Sequence, residues 1–299
     1  MRRRIIALTL ALGATGAGFT AHRLITDAPP RRSGATVGAT KLIAAGRGPA
    51  VAKEITRPFE PAALTQAVRA YLGTRPGKAG VMATDLRTGL SFGQNEKGRF
   101  VTASIMKVDI LSSLVLQRQR DRRGLTAGQR ELAGRMIRES DNGAADSLYS
   151  AAGGGDGVRA TNKRFGLKST TPFPGSWGSS LTTPSDQVRL LRTLVSDKSP
   201  IKPLSRQYIL GLMGSVLHEQ AWGVSAAALP GEKVALKNGW TPVHHQGHGW
   251  AVNSIGRITG PDHDFLVAVC SGDSPTMEAG VSTVEHVAEM VVSTMRDSR

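Results

Sequence analysis

Ser104-Ile105-Met106-Lys107 stands at the front of a long apolar stretch, within the segment Phe100-Val101-Thr102-Ala103-Ser104-Ile105-Met106-Lys107. Residues three apart share one face of an α-helix, so the Lys107 amine can reach the Ser104 oxygen. The run that follows, Val108, Ile110, Leu111, Leu114 and Val115, is apolar over more than one face and predicts a helix buried all round. Lys107 is then desolvated. Burial disfavours an ammonium and lowers its pKa, which a lysine needs before it can take a proton from serine near neutral pH. Taken alone, the pattern more often marks a helix N-cap serine followed by a solvated lysine.

Two later segments change that balance. Ser140-Asp141-Asn142 comes directly after an amphipathic stretch, and Lys237-Asn238-Gly239 lies in a strand-like run, Val234-Ala235-Leu236, with Trp240 after it. In isolation the first is a turn between helices and the second a hairpin end, because Asn-Gly is a strong turn signal. The order Ser-x-x-Lys, Ser-Asp-Asn, Lys-x-Gly resembles that of the class A β-lactamases and penicillin-binding proteins. The resemblance covers roughly residues 60–299 and extends to Thr182-Thr183-Pro184 opening a helix and to Trp250-Ala251-Val252-Asn253-Ser254-Ile255-Gly256.

Acyl transfer needs a nucleophile, a proton acceptor beside it, a proton route to the leaving nitrogen and donors for the oxyanion. The resemblance implies Ser104 as nucleophile, Lys107 as base or proton relay, and Ser140 as the group that passes a proton on. It implies that Asn142 holds the substrate amide and that Lys237 supplies positive charge to a substrate carboxylate and polarises Ser140. The backbone N–H groups of Ser104 and Trp240 form the oxyanion hole in this reading, with Asn238, Gly239 and Trp240 as substrate-binding positions. Asp141 reads as structural, a turn and cap for the helix that follows.

Three departures from the class A pattern shape the functional expectation. Asn238 stands where those enzymes have Thr or Ser, so a hydroxyl that contacts the substrate carboxylate is replaced by an amide, which can also donate but reaches differently. The interval from Ser104 to Ser140 is shorter than usual. Between Gly153 and Thr183, where class A enzymes carry the Ω-loop glutamate that activates the deacylating water, Asp156 is the single acid. The acyl-enzyme is therefore expected to be long-lived. The expected function is an exported serine hydrolase acylated at Ser104 by β-lactams or cell-wall peptide amides. The alternatives are an efficient β-lactamase with another base, for which Asp156 and Glu139 are the first candidates, or an idle wall-associated binding module.

The expected fold is α+β: an antiparallel, five-stranded sheet flanked by helices, with an all-α lobe inserted. Pro61 opens a helix with Leu64, Val68, Tyr71 and Leu72 on one side. A hairpin runs through Ala79–Asp85, a turn at Arg87-Thr88-Gly89, and Leu90–Gln94. Thr126 with Gln129, and Thr183 with Asp186, read as capping boxes. Strands are expected at Val234–Gly239, Trp250–Ile258 and Phe265–Cys270. A last helix carries Val284, Val287, Ala288, Val291 and Met295 at helical spacing. The α/β lobe is placed at about 59–103 and 230–299 and the all-α lobe at about 104–229, following a signal peptide or membrane anchor at 1–21 and a flexible linker at 22–58.

The formal charge of +15 is concentrated toward the N-terminus, where residues 1–60 hold ten Lys/Arg against three acids. The basic residues elsewhere are scattered and not interleaved with aromatics, which argues against nucleic acid and for a solvated surface or an anionic cell envelope. Met1-Arg2-Arg3-Arg4 followed by an uncharged run from Ile5 to Ala21 reads as an export signal or anchor. No cysteine follows that run, which argues against lipid attachment there. The chain is expected outside the cytoplasm, secreted or anchored, as a monomer without a cofactor. His244, His245 and His248 cluster, but no Cys or paired acid completes a zinc site, so no metal is expected. Cys270, the sole cysteine, can form no intrachain disulfide and reads as a buried inert thiol.

Overall fold

Pro61 occupies the first turn of helix α1 (Pro61–Gly73), where its missing N–H has no intrahelical partner to lose, and Leu64 and Val68 turn inward. The computed structural model describes residues 58–244 and 248–298. The leader, nearly all of the linker and His245 lie outside the described residues. Strand β1 (Lys78–Asp85) turns into β2 (Ser91–Gln94), with Thr84 opposite Ser91 and Val81 opposite Gln94. The turn is set by Asp85, whose carboxylate accepts from the Arg87 backbone N–H (3.1 Å) and the Thr88 hydroxyl (2.8 Å), and by Gly89 at φ 79°.

Strands β5 (Lys233–Pro242), β6 (Trp250–Thr259) and β7 (Asp264–Ser274) complete a five-stranded antiparallel sheet ordered β2-β1-β7-β6-β5. Its central strands are apolar on both faces because both are covered. Along β7, Phe265, Val267 and Val269 pack with the buried valines of the last helix, α8 (Met277–Arg296). The alternate residues Leu266, Ala268 and Cys270 join the core of the helical half. Val284, Val287, Ala288, Val291 and Met295 all lie on the buried face of α8. Burying one such valine is worth about 1.5–3 kcal/mol at most, so the sheet and α8 stabilise each other.

The inserted segment carries α2 (Met106–Arg120), α3 (Ala127–Arg138), α4 (Asn142–Ala151), α5 (Gly154–Phe165), α6 (Pro184–Val195) and α7 (Pro203–Met213). Every residue of α2 from Met106 to Leu116 is buried, as its apolar run predicts. Thr126 and Gln129 form a complete capping box at α3. At α6 only half of the expected box forms. Thr183 accepts from the Asp186 N–H (3.1 Å), but the Asp186 carboxylate turns back to take the N–H groups of Lys168 and Ser169 and the Thr170 hydroxyl. Three orphan donors outcompete the single cap N–H. A short ribbon pairs β3 (Phe100–Val101) with β4 (Leu181–Thr182) and fastens the segment before α6 beside Ser104.

Candidate active site

Ser104 sits in a 3₁₀ turn, Ala103–Ile105, that runs directly into α2. Ala103 before it is left-handed at φ 45°, a conformation that costs an L-residue about 1–2 kcal/mol. Several contacts hold it there. Asn253 on β6 donates to the carbonyls of Val101 (2.8 Å) and Thr102 (3.0 Å), and the Thr102 N–H donates to the Ser180 carbonyl (2.8 Å). The nucleophile candidate is thus fixed from the sheet on one side and the 170–183 hairpin on the other.

Lys107 has no solvent exposure, and its Nζ meets four oxygens: Ser104 Oγ (2.9 Å), Ser140 Oγ (3.0 Å), the Ser140 carbonyl (2.7 Å) and Asn142 Oδ1 (2.8 Å). Two of these, the carbonyl and the amide oxygen, can only accept. A neutral amine that spends its two N–H groups on them turns its lone pair to the hydroxyls, which is the arrangement of a base facing Ser104. Burial lowers the Lys107 pKa to about 8, against the opposing pull of Asp141 and Asp146. The four contacts also explain Ser140, which is left-handed at φ 59° and so aims its carbonyl and hydroxyl at one atom. Asp141 caps α4 through the Ala144 N–H and is itself held by Arg135 at 2.7 Å, as its structural reading requires.

Lys237 and Gly239 approach from β5, the edge strand of the sheet. The Asn-Gly pair does not turn. It lies mid-strand, with Lys237 opposite Ile255 and Gly239 opposite Asn253. Lys237 is 1% exposed and its Nζ donates to the Asn238 carbonyl (2.8 Å), with no bond to Ser140. Burial and the neighbouring Lys107 hold its pKa well below the ordinary lysine value. Gly239 presses against the turn of Ser104, and Trp240 follows it on the same edge, its ring 5.7 Å from that of Trp222. Asn238 does not face a substrate through its amide hydrogens. Both are taken, by the carbonyls of Gln220 (2.8 Å) and Trp222 (2.9 Å).

Three residues that build the site are assigned no role from the sequence alone. Asn253 has a faint signal, an amide in mid-strand, where asparagine is depleted. Trp177 and Asp146 have none, since they meet only in the fold: the indole N–H donates to Asp146 Oδ1 (2.7 Å), and Lys107 Nζ lies 4.8 Å from the centre of the Trp177 ring. The fallback acids stand elsewhere. Asp156 is 86% exposed and paired with Arg159, and Glu139 is the exposed C-cap of α3. The carboxylates that act on Lys107 are Asp141 and Asp146. Cys270 is buried in β7 and burial pushes its thiol up, which agrees with an inert role.

A family model described as the beta-lactamase enzyme family matches residues 63–127 and 115–295. The chain belongs to the beta-lactamase enzyme family. It is 27% identical over 255 residues to proteins named "Putative lipoprotein LppW" from Mycobacterium tuberculosis and Mycobacterium bovis, covering 77% of this chain and 79% of theirs. The fold is that of PBP-A (TM-score 0.68, 20% identity, 81% of this chain and 99% of that one). It is equally that of the TLA-1 extended spectrum beta-lactamase (TM-score 0.69, 19% identity, 79% and 99%). Membership in this beta-lactamase family accounts for the sheet order and the inserted helices.

Proposed function

We propose that this chain is an extracytoplasmic serine hydrolase, acylated at Ser104 by β-lactams or related cell-wall peptide amides, that deacylates slowly. The observation that carries the reading is the Lys107 amine within hydrogen-bond reach of both the Ser104 and Ser140 hydroxyls, with two carbonyl-type oxygens fixing its orientation. Lys107 takes the Ser104 proton as Oγ attacks the substrate carbonyl. Ser140, bonded to the same nitrogen, passes the proton to the leaving amine. Asn142, whose Oδ1 is tied to Lys107, presents its amide nitrogen to the acyl side chain. Neither carboxylate nor histidine occurs from Thr170 to Thr183 to activate a deacylating water.

The name borne by the mycobacterial relatives supports a location at the cell envelope. Residues 1–21 serve in this reading as signal or anchor and 22–58 as a spacer before the catalytic domain at 59–299, which acts as a monomer. Intact-mass spectrometry after exposure to a fluorescent penicillin tests the reading. A persistent adduct on Ser104 is the expected result. Rapid turnover without accumulation identifies an efficient β-lactamase, and the lack of any adduct identifies a binding module.

A further inference from the structure

Trp177 is tied on three sides around the Ser104–Lys107 pair. Its carbonyl accepts from the Thr102 hydroxyl (3.2 Å), two residues before the nucleophile, its indole N–H is held by Asp146 on α4, and its ring face lies over Lys107 Nζ. The hairpin that carries it is closed by the Thr171–Leu181 pair and by the Phe173 N–H on Ser180 Oγ (3.0 Å). Tyr149 of α4 donates to the Phe173 carbonyl (2.6 Å), so the hairpin is pinned to the same helix as Asp146. The remaining sides of the amine are taken by Ser104, Ser140 and Asn142, which leaves Lys107 no exposed surface.

We propose that Trp177, anchored by Asp146, is a positioning residue that shields Lys107 and the Ser104 ester from water and so prolongs the acyl-enzyme. The inference rests on acylation at Ser104 as read above. In hydrolysis a water oxygen bonds to the acyl carbon, its proton passes to the neutral Lys107 amine, and the bond from that carbon to Ser104 Oγ breaks. Lys107 then returns the proton to Ser104, leaving a free carboxylic acid. The water must stand beside both the ester carbon and the amine. The indole covers the amine on its hairpin side, so a water there has no lone pair to give its proton to.

Asp146 also acts by charge. The charged groups facing Lys107 are Asp141 at the N-cap of α4, Asp146 within α4 and Lys237 from β5, while the hairpin contributes none. Asp146 favours the ammonium and the burial completed by Trp177 opposes it. Replacing Asp146 by Asn keeps an oxygen for the indole N–H and removes one negative charge.

The test uses the full chain acylated with benzylpenicillin, following adduct lifetime and the pH dependence of adduct formation by intact mass. Trp177→Ala is expected to shorten the lifetime at least about tenfold, equivalent to ~1.4 kcal/mol of barrier. Trp177→Phe, which retains a ring face, is expected to keep most of the lifetime, and Asp146→Ala to fall between the two. Asp146→Asn is expected to move the rise of acylation with pH to lower pH. If Trp177→Ala does not fold, the ordering of Trp177→Phe and Asp146→Ala carries the test. A parent-like lifetime in Trp177→Ala, or in Asp146→Ala, overturns the shield, and an unmoved profile in Asp146→Asn overturns the charge role. A parent that forms no adduct at Ser104 overturns the function reading itself and this inference with it.

Discussion

A Cβ placed on Gly239 would lie 2.5 Å from the backbone nitrogen of Ser104 and 2.7 Å from that of Ile105. Both clashing atoms belong to the main chain, so no side-chain rotation relieves the contact. The edge strand and the nucleophile's turn are in contact through their backbones, which is the arrangement that lets N–H groups from both aim at one substrate oxygen. Gly239→Ala is therefore expected to force β5 away from Ser104 and to lower the acylation rate about 10²–10³-fold, the usual loss on removing one oxyanion donor. Timed intact-mass labelling measures this. Labelling at the parent rate would show that the close approach serves packing alone.

Acylation should depend on pH through Lys107. Its pKa, lowered to about 8 by burial, places the ammonium in excess at pH 7. The ammonium cannot accept the Ser104 proton. The acylation rate is thus expected to rise with pH through about 8 and then level off. Lys107→Ala should remove that rise and slow acylation about 10²–10⁴-fold, the range for a lost general base. Ser104→Ala should abolish labelling altogether while leaving the thermal melt near that of the parent. A pH-independent rate in the parent would remove Lys107 from the role of base.

What the sequence made legible follows from locality. The Thr126–Gln129 box, the α8 valines and the Ser104–Lys107 spacing are each satisfied within a turn or two of helix, so their periodicity is enough. Strand β7 runs past Cys270 because β1 pairs with it as far as Gly272 and Trp250 of β6 pairs with Ser274, a fact of pairing and not of composition. Lys237-Asn238-Gly239 shows the same override, since pairing with β6 holds extended a dipeptide that prefers to turn. The site's remaining walls were illegible for a stricter reason. Trp177 meets Asp146 across 31 residues, and the Asn253 amide reaches Val101 across 152. A linear pattern does not say which distant residue a tryptophan or a strand asparagine will meet.

Asp109, two positions after Lys107, is fully buried, and burial raises its pKa to about 7 despite the hydrogen bonds from Asn162 (2.7 Å) and Ser113. An acid whose folded pKa exceeds its unfolded one binds its proton more tightly when folded, so its contribution to stability is complete at low pH. That contribution is lost as pH rises from about 3.8 through about 7. Asp109→Asn cannot ionise and offers an N–H to Asn162 Oδ1, which is buried without a partner. The variant is expected to melt higher than the parent at pH 8 and to lose the advantage at pH 4. An equal effect at both values, measured by thermal unfolding in matched buffers, would show that the carboxyl is not the titrating group.

Asn238 sets β5 against the loop at 220–222. Its side chain holds the carbonyls of Gln220 and Trp222, which brings Trp222 against Trp240 at the end of the cleft. Threonine carries a single donor on a shorter side chain and cannot serve both carbonyls. Asn238→Thr, which puts a hydroxyl in place of the amide, should therefore leave at least one buried acceptor unmet, at a cost of about 1–3 kcal/mol. The expected result is a lower melting temperature together with quenched or shifted tryptophan fluorescence as the Trp222–Trp240 contact loosens. A threonine variant with parent-like melting and fluorescence would show that water replaces the lost bonds and that the amide is not what sets this wall of the cleft.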